Sequence, residues 1–207
     1  MLRLLRFPYS TNVDRVALAL AHKGREAESV WIDPADRSEV EAISGQPLVP
    51  VLVDGDLVVA DSMAILEHLE ARQPDPPLFP RDVARGMEAR IFADWFNRVW
   101  KAPPNLLAGA LDEGRDPAEP ELRAWAREVR ASLDRFEALL TGREHLLGDF
   151  GVADVVAWPF LRYATGTLEP DDTDRFHHVL AEHLGTTPER HPNLMAWINR
   201  VGERPMA

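Results

Sequence analysis

The sequence has no cysteine among its 207 residues. A disulfide framework, a thiolate metal site and a catalytic protein thiol are therefore excluded. The absence is compatible with the cytoplasm, which is the location we expect. Long apolar runs are missing as well: no stretch approaches the ~20 residues of a membrane-spanning helix. The opening MLRLLRFPYS is too short and too interrupted for a signal peptide.

Positive charge is scarce. Asp and Glu number 34 against 23 Lys and Arg, which gives a formal net charge of −11. A surface of this sign has no general affinity for nucleic-acid phosphates or for an anionic membrane. We therefore expect neither nucleic acid nor membrane as a partner.

Familiar catalytic and metal-binding motifs are lacking too. The sequence shows no Gly-rich phosphate loop, nucleophile elbow or Ser-His-Asp arrangement. His177, His178 and His183 lack zinc-ligand spacing, because adjacent histidines do not share a helix face and no carboxylate–histidine pattern accompanies them. We expect no metal site.

The first third of the chain alternates strand and helix patterns. Apolar residues spaced i, i+3, i+4 predict a helix over residues 13–21, which ends at the basic turn and glycine of Lys23-Gly24. Asp54-Gly55 between two β-branched runs predicts a hairpin. The other elements are strands at residues 2–7, 28–32, 50–53 and 57–60, a weak helix at 36–43 and a helix from Ser62. The order β-α-β-α-β-β-α indicates one mixed sheet.

The segment QPDPPLFP, which begins at Gln73, has four prolines in eight residues and is the obvious linker. Everything after it has a helical pattern, with candidate helices at residues 81–100, 122–140, 152–163 and 193–202. The first of these is expected to end at Pro103-Pro104. We therefore predict an α/β domain at residues 1–73, a linker at 74–80 and an all-helical domain at 81–207.

Two short motifs in the first domain suggest a binding site. Pro50 has no backbone N–H, so it belongs at the entry or edge of a strand, and the bond before it could be cis. Asp61-Ser62 opens a helix, where free N–H groups and the dipole favour an anion. Both motifs also have a plain interpretation, as a strand-entry proline and a helix N-cap.

The order of these motifs resembles the soluble glutathione transferase family over the whole chain. The resemblance rests on Val49-Pro50, Asp61-Ser62, GDFGVAD at residues 148–154 and HPNLMAWINRVGERP at residues 191–205. It implies a thioredoxin-like βαβαββα domain followed by a C-terminal helical bundle. It also implies glutathione as co-substrate, a small hydrophobic electrophile, a homodimer and a role in detoxification.

The resemblance also implies roles for particular residues. The backbone of Val49 would pair with the cysteinyl backbone of glutathione as an added strand does, with Pro50 holding the turn. The Ser62 hydroxyl would donate to the γ-glutamyl carboxylate, and Asp61 would accept from the ammonium. Asp154, three residues after Gly151, would close the start of a helix and is structural. Leu48 stands where serine-type relatives often carry a polar Gln or Lys.

A hydroxyl donor just after the first strand would stabilise the glutathione thiolate. Residues 10–16 are similar to the Ser-x-Asn-x-x-Arg-Val pattern of plant and bacterial serine-type members, so Ser10 is the expected donor. Tyr9 is the runner-up and Asn12 could contribute. The plain alternative is that Ser10 or Asn12 caps the first helix, and the two roles do not exclude each other.

Trp95, Arg98 and Trp100 lie on the helix that lines the second-substrate pocket in the family, although such aromatic residues are more often core. Several functions stay open beside conjugation. The same site could catalyse isomerisation or dehalogenation, another low-molecular-weight thiol could replace glutathione, or the fold could serve as a non-catalytic interaction protein.

Overall fold

A four-stranded mixed sheet organises the first part of the chain in the computed structural model, which describes residues 1–207. The strands are β1 (Leu2–Arg6), β2 (Ala27–Trp31), β3 (Val51–Asp54) and β4 (Leu57–Ala60). The sheet order is β2-β1-β3-β4, with β1 parallel to β2 and antiparallel to β3, and β3 antiparallel to β4. The predicted mixed sheet and its hairpin are confirmed.

Three helices accompany this sheet: α1 (Thr11–His22), α2 (Ser38–Ser44) and α3 (Ser62–Arg72). The predicted apolar stripe of α1 is buried from Val13 to Leu20, and the helix ends at Lys23 before Gly24 in a left-handed conformation. Ile65, Leu66 and Leu69 bury the predicted face of α3. The local signals of capping and apolar spacing therefore set both helices.

The C-terminal tail belongs to the first of two compact units. One unit comprises Met1–Arg81 together with Arg204–Ala207, and the other comprises Asp82–Glu203. The Arg6 guanidinium donates to the Ala207 carbonyl oxygen at 3.1 Å, and the Ala207 N–H donates to the Ala17 carbonyl at 3.2 Å. No pattern in the sequence indicated that these last residues return to the first unit.

The second unit is entirely helical. Its helices are α4 (Val83–Trp95), α5 (Ala102–Asp112), α6 (Pro120–Leu139), α7 (Val152–Leu161), α8 (Arg175–Leu184) and α9 (Pro192–Gly202). A π-helical turn, Phe96–Trp100, follows α4. The expectation that Pro103-Pro104 end a helix was wrong. They lie in the first turn of α5, where the missing N–H of proline costs no hydrogen bond.

One buried carboxylate stabilises the start of α7. Asp154, with no exposed surface, accepts hydrogen bonds from the Gly151 N–H (3.1 Å), the Leu146 N–H (3.0 Å) and the Trp197 indole N–H (2.7 Å). The structure therefore agrees with the structural role expected for Asp154. It also confirms the predicted fold class, a thioredoxin-like α/β part followed by a helical bundle. None of the helices is both long and apolar enough to cross a membrane.

Candidate functional site

Three of the predicted site segments leave the sheet at the same end. Leu5 near the end of β1 is paired with Val51 at the start of β3, and Val51 is paired with Ala60 at the end of β4. The segment after β1, the residues before β3 and the residues after β4 therefore emerge side by side. The N-termini of α1 and α3 follow two of these segments directly.

The Val49–Pro50 peptide bond is cis, and both residues are buried. The Gln46 side chain hydrogen-bonds to the backbone of the loop that precedes this peptide bond. Its side-chain oxygen accepts from the Leu48 N–H at 2.7 Å, and its amide nitrogen donates to the Leu48 carbonyl at 2.8 Å. The N–H and C=O of Val49 make no hydrogen bond within the chain. The Leu48 side chain is 61% exposed beside them.

Ser10 is the N-cap of α1. Its Oγ accepts from the Val13 N–H at 3.4 Å, so the capping interpretation holds at this position. A hydroxyl that accepts through its oxygen keeps its own proton for donation, and capping leaves that proton available. Tyr9 precedes it with φ of +61°, a left-handed conformation that is uncommon outside glycine. Asn12 lies half-buried in the first turn.

Asp61 and Ser62 begin α3 in two different ways. Asp61, with φ of +77°, is the exposed N-cap, and its Oδ1 accepts from the N–H groups of Met63 (2.8 Å) and Ala64 (3.1 Å). Ser62, the first helical residue, is buried. The cap engages one carboxylate oxygen of Asp61, and the second oxygen makes no hydrogen bond in the chain.

Arg15 on α1 joins this site, although sequence reasoning assigned it no role. It is 1% exposed, and its Nη1 donates to Ser62 Oγ at 3.3 Å. Burial lowers the pKa of the Arg15 guanidinium to about 9, and the Asp61 carboxylate opposes that shift, so Arg15 is charged at neutral pH. The unbroken apolar run VALALA, residues 16–21, was the available signal. A helix that is apolar on every side buries its charged residues too.

The three residues expected at a second-substrate pocket do not line one cavity together. Trp100 is a core residue that stacks on Phe96 (ring centroids 4.4 Å apart) and donates its indole N–H to Ser132. Arg98, in the π-helical turn, is exposed and pairs with Asp94 of α4. Trp95 alone borders a cavity of roughly 520 Å³ with Phe92 and residues at the end of α6. Trp95 and Trp100 share an aromatic cluster with Phe96 and Phe136, whereas the Arg98 side chain is exposed.

Comparison with known proteins identifies the family. The family model "Glutathione S-transferase, N-terminal domain" matches residues 4–77, and "Glutathione S-transferase, C-terminal domain" matches residues 119–200. The chain is 38% identical to Glutathione S-transferase Z2 of Arabidopsis thaliana over 216 residues, which cover 95% of each protein.

Two further relatives show the range of this similarity. FtsZ-localized protein A of Caulobacter vibrioides is 32% identical over 159 residues, which are 70% of this chain and 68% of that protein. The crystal structure of a glutathione S-transferase from Rhodospirillum rubrum F11 superimposes with a TM-score of 0.75 at 29% identity, covering 99% of this chain and 89% of the other. The chain belongs to the glutathione S-transferase family.

Proposed function

We propose that this protein is a glutathione-dependent transferase that activates the glutathione thiolate for attack on a small apolar electrophile. One observation carries the proposal: the cis Val49–Pro50 step and the N-termini of α1 and α3 meet at the same end of the sheet. An extended peptide edge beside two helix N-termini suits a tripeptide that carries a carboxylate and a thiolate.

The tripeptide would be held by its backbone and its γ-glutamyl end. The N–H and C=O of Val49, which have no partner in the chain, suit the cysteinyl backbone of glutathione. The α-carboxylate would accept from the Ser62 hydroxyl at the positive end of α3. The ammonium would donate to the carboxylate oxygen of Asp61 that the helix cap leaves unused.

Ser10 would then stabilise the thiolate. A cysteine thiol ionises near ~8.5, and a hydroxyl donor at a helix N-terminus favours the anion. The thiolate sulfur would form a bond to an electrophilic carbon, and the leaving group would depart with the electron pair of the broken bond. Tyr9 and Asn12 are the alternative donors. Isomerisation and dehalogenation would begin from the same thiolate, and we expect a cytoplasmic homodimer.

A second candidate is a non-catalytic interaction protein. Similarity to FtsZ-localized protein A favours it, because the name of that relative describes an association with another protein. The exposed Leu48, beside the cis bond, is apolar where a polar contact to glutathione would be expected. The presence of Ser10, Asp61 and Ser62 together weighs toward the transferase.

Calorimetric titration with reduced glutathione tests the binding site. We expect a dissociation constant between micromolar and low millimolar, and at least about tenfold weaker binding by Ser62→Ala, since a hydrogen bond to a charged group contributes about 1.5–3 kcal/mol. Ser29→Ala, an exposed serine on β2, serves as the control and should bind like the wild type. Absence of binding heat at several temperatures, together with no competition by S-methylglutathione, would reject the transferase.

A further inference from the structure

The side-chain amide of Gln46 pairs with the backbone of Leu48 on both sides. Its Oε1 accepts from the Leu48 N–H at 2.7 Å and its Nε2 donates to the Leu48 carbonyl oxygen at 2.8 Å, as paired residues of antiparallel strands do. The second Nε2 proton is donated to Ser44 Oγ at 3.1 Å. Both amide protons of Gln46 therefore have acceptors within the loop, and neither is left for a ligand.

The Leu48 carbonyl group determines where the Val49 N–H points, because the two groups belong to one planar peptide unit. This peptide bond is trans, since the chain has its cis bonds at Val49–Pro50 and Asp75–Pro76. In a trans peptide the C=O and the N–H point in opposite directions. Gln46 holds the carbonyl oxygen on one side, so the Val49 N–H is directed to the other side, away from Gln46.

The Val49 N–H has no acceptor within the chain on that other side. Val49 is 9% exposed, and neither its N–H nor its C=O makes a hydrogen bond in the chain. A buried backbone donor without a partner is uncommon and costs free energy until a ligand or a water molecule supplies the acceptor. A carbonyl oxygen that accepts a hydrogen bond also polarises its peptide, which makes the N–H of that peptide a better donor.

Ser44, the last residue of α2, connects the Gln46 amide to that helix. Its Oγ accepts from Gln46 Nε2 and lies within donating distance of the carbonyl oxygens of Val40 (2.8 Å) and Gln46 (3.0 Å). Val40 is fully buried. The orientation of the Leu48–Val49 peptide therefore depends on contacts that reach a packed helix rather than on the loop alone.

We propose that Gln46 is a positioning residue, which holds the Leu48–Val49 peptide so that the Val49 N–H donates to the cysteinyl carbonyl oxygen of bound glutathione. The inference rests on the proposed glutathione site but makes a separate claim about one hydrogen bond. Removing Gln46 must weaken the Val49 contact in particular, whereas loss of a merely structural residue would loosen the adjoining strand β3 as well.

Amide hydrogen exchange, followed by nuclear magnetic resonance, tests this contact. The exchange rate of the Val49 N–H is measured without glutathione and at saturating glutathione, in the wild type and in Gln46→Met, with the amides of β3 as internal reference. We expect glutathione to slow this exchange at least about tenfold in the wild type and less than about threefold in Gln46→Met. Calorimetry should show about fivefold weaker glutathione binding by Gln46→Met, the loss expected for one hydrogen bond.

Gln73→Met is the matched control. Gln73 Nε2 likewise donates to the carbonyl oxygen two residues further along, that of Asp75, at 2.9 Å, but Gln73 follows the C-terminal end of α3, away from the site. This variant should keep the wild-type protection of Val49. If Gln46→Met does not fold, Ser44→Ala carries the test: it removes one contact of the Gln46 amide and should lower the protection of Val49 about twofold.

Full protection of Val49 in Gln46→Met or, if that variant does not fold, in Ser44→Ala would overturn the positioning role and leave the glutathione site standing. Faster exchange throughout β3 in Gln46→Met, or glutathione binding that leaves the wild-type Val49 N–H unprotected, would overturn it too. Failure of the wild type to bind glutathione would overturn both claims. A loss of protection that is confined to Val49 and absent in Gln73→Met supports the inference.

Discussion

Two buried cations link α1 and the turn after it to α3, and their hydrogen-bond partners differ in kind. Lys23, with a fully buried side chain, donates to Glu70 Oε2 (2.6 Å) and to the carbonyl oxygens of Gln73 (2.6 Å) and Pro76 (2.9 Å). Three acceptors match the three protons of an ammonium group. Arg15 instead donates to the Ser62 hydroxyl, which is neutral and has a proton of its own to donate.

The two cations differ in the chemistry of their acceptors. All three ammonium protons of Lys23 meet protein acceptors, one of which is a carboxylate. Lys23 therefore stabilises the fold and has no proton left to donate to a ligand. Arg15 instead contacts a hydroxyl at the end of the sheet where the cis bond and two helix N-termini meet. Two equally buried cations can therefore have different kinds of acceptor.

The largest expected effect on stability comes from removing the contact between Lys23 and Glu70. Lys23→Met should lower the free energy of unfolding by about 3–5 kcal/mol, because it leaves the Glu70 carboxylate without its buried partner. Urea unfolding followed by circular dichroism measures the change. Arg72→Met, which removes the exposed ion pair with Asp54, is the control and should cost less than about 1 kcal/mol. A loss for Lys23→Met as small as that of the control would show that the link does not stabilise the fold.

The next effect comes from the hydroxyl at the start of α1. Ser10→Ala should lower kcat/KM about 10²–10³-fold near neutral pH, as loss of a donor to a developing anion does elsewhere. Glutathione affinity should change little, and the lost helix cap should cost about 1 kcal/mol of stability. The rate deficit should shrink above pH ~8.5, where the thiol ionises unaided.

Tyr9→Phe is the matched control for this measurement, carried out with an electrophile that the wild type turns over. It should retain the wild-type rate. A full loss in Tyr9→Phe with little change in Ser10→Ala would transfer the donor role to Tyr9.

The smallest effect lies at the far end of α1. Burial lowers the pKa of His22, which lies 3.1 Å from the Pro77 carbonyl oxygen, below its usual 6.5. Between the lowered value and 6.5 the unfolded chain binds more protons than the folded one, so stability falls as pH falls below 6.5. Melting temperatures between about pH 5 and pH 8 should show this slope, and His22→Gln should flatten it. An equal slope in His22→Gln would contradict the assignment of this pH dependence to His22.

The elements that the sequence predicts well carry local signals. Asp54-Gly55 specifies a hairpin turn, and Lys23-Gly24 specifies a helix end, because each acts within a few residues. The return of the tail to the first unit has no such signal: Arg6 and Ala207 are separated by 201 residues. Pro103-Pro104 were expected to end a helix but begin one. Their pattern is ambiguous, because proline is found both just after a helix end and in the first turn of a helix.

The candidate site was predictable only in part, for physical reasons. Resemblance to a family supplied Ser62 and its neighbours, since a capping residue and an anion-binding residue have the same local pattern. The burial of Arg15 depends on α1 being covered on every side, which VALALA could have indicated. Trp100 is the last residue of a π-helical turn that shifts the helix face, so regular periodicity assigns its exposure poorly.

The most direct test of the central claim is an ultraviolet titration of the thiolate of glutathione bound to the wild-type protein, with free glutathione as reference. The site described here predicts a thiol pKa below the free value of ~8.5, and a return toward that value in Ser10→Ala. Saturated protein whose bound thiol titrates at or above the free value would contradict thiolate activation. The non-catalytic alternative would then be favoured.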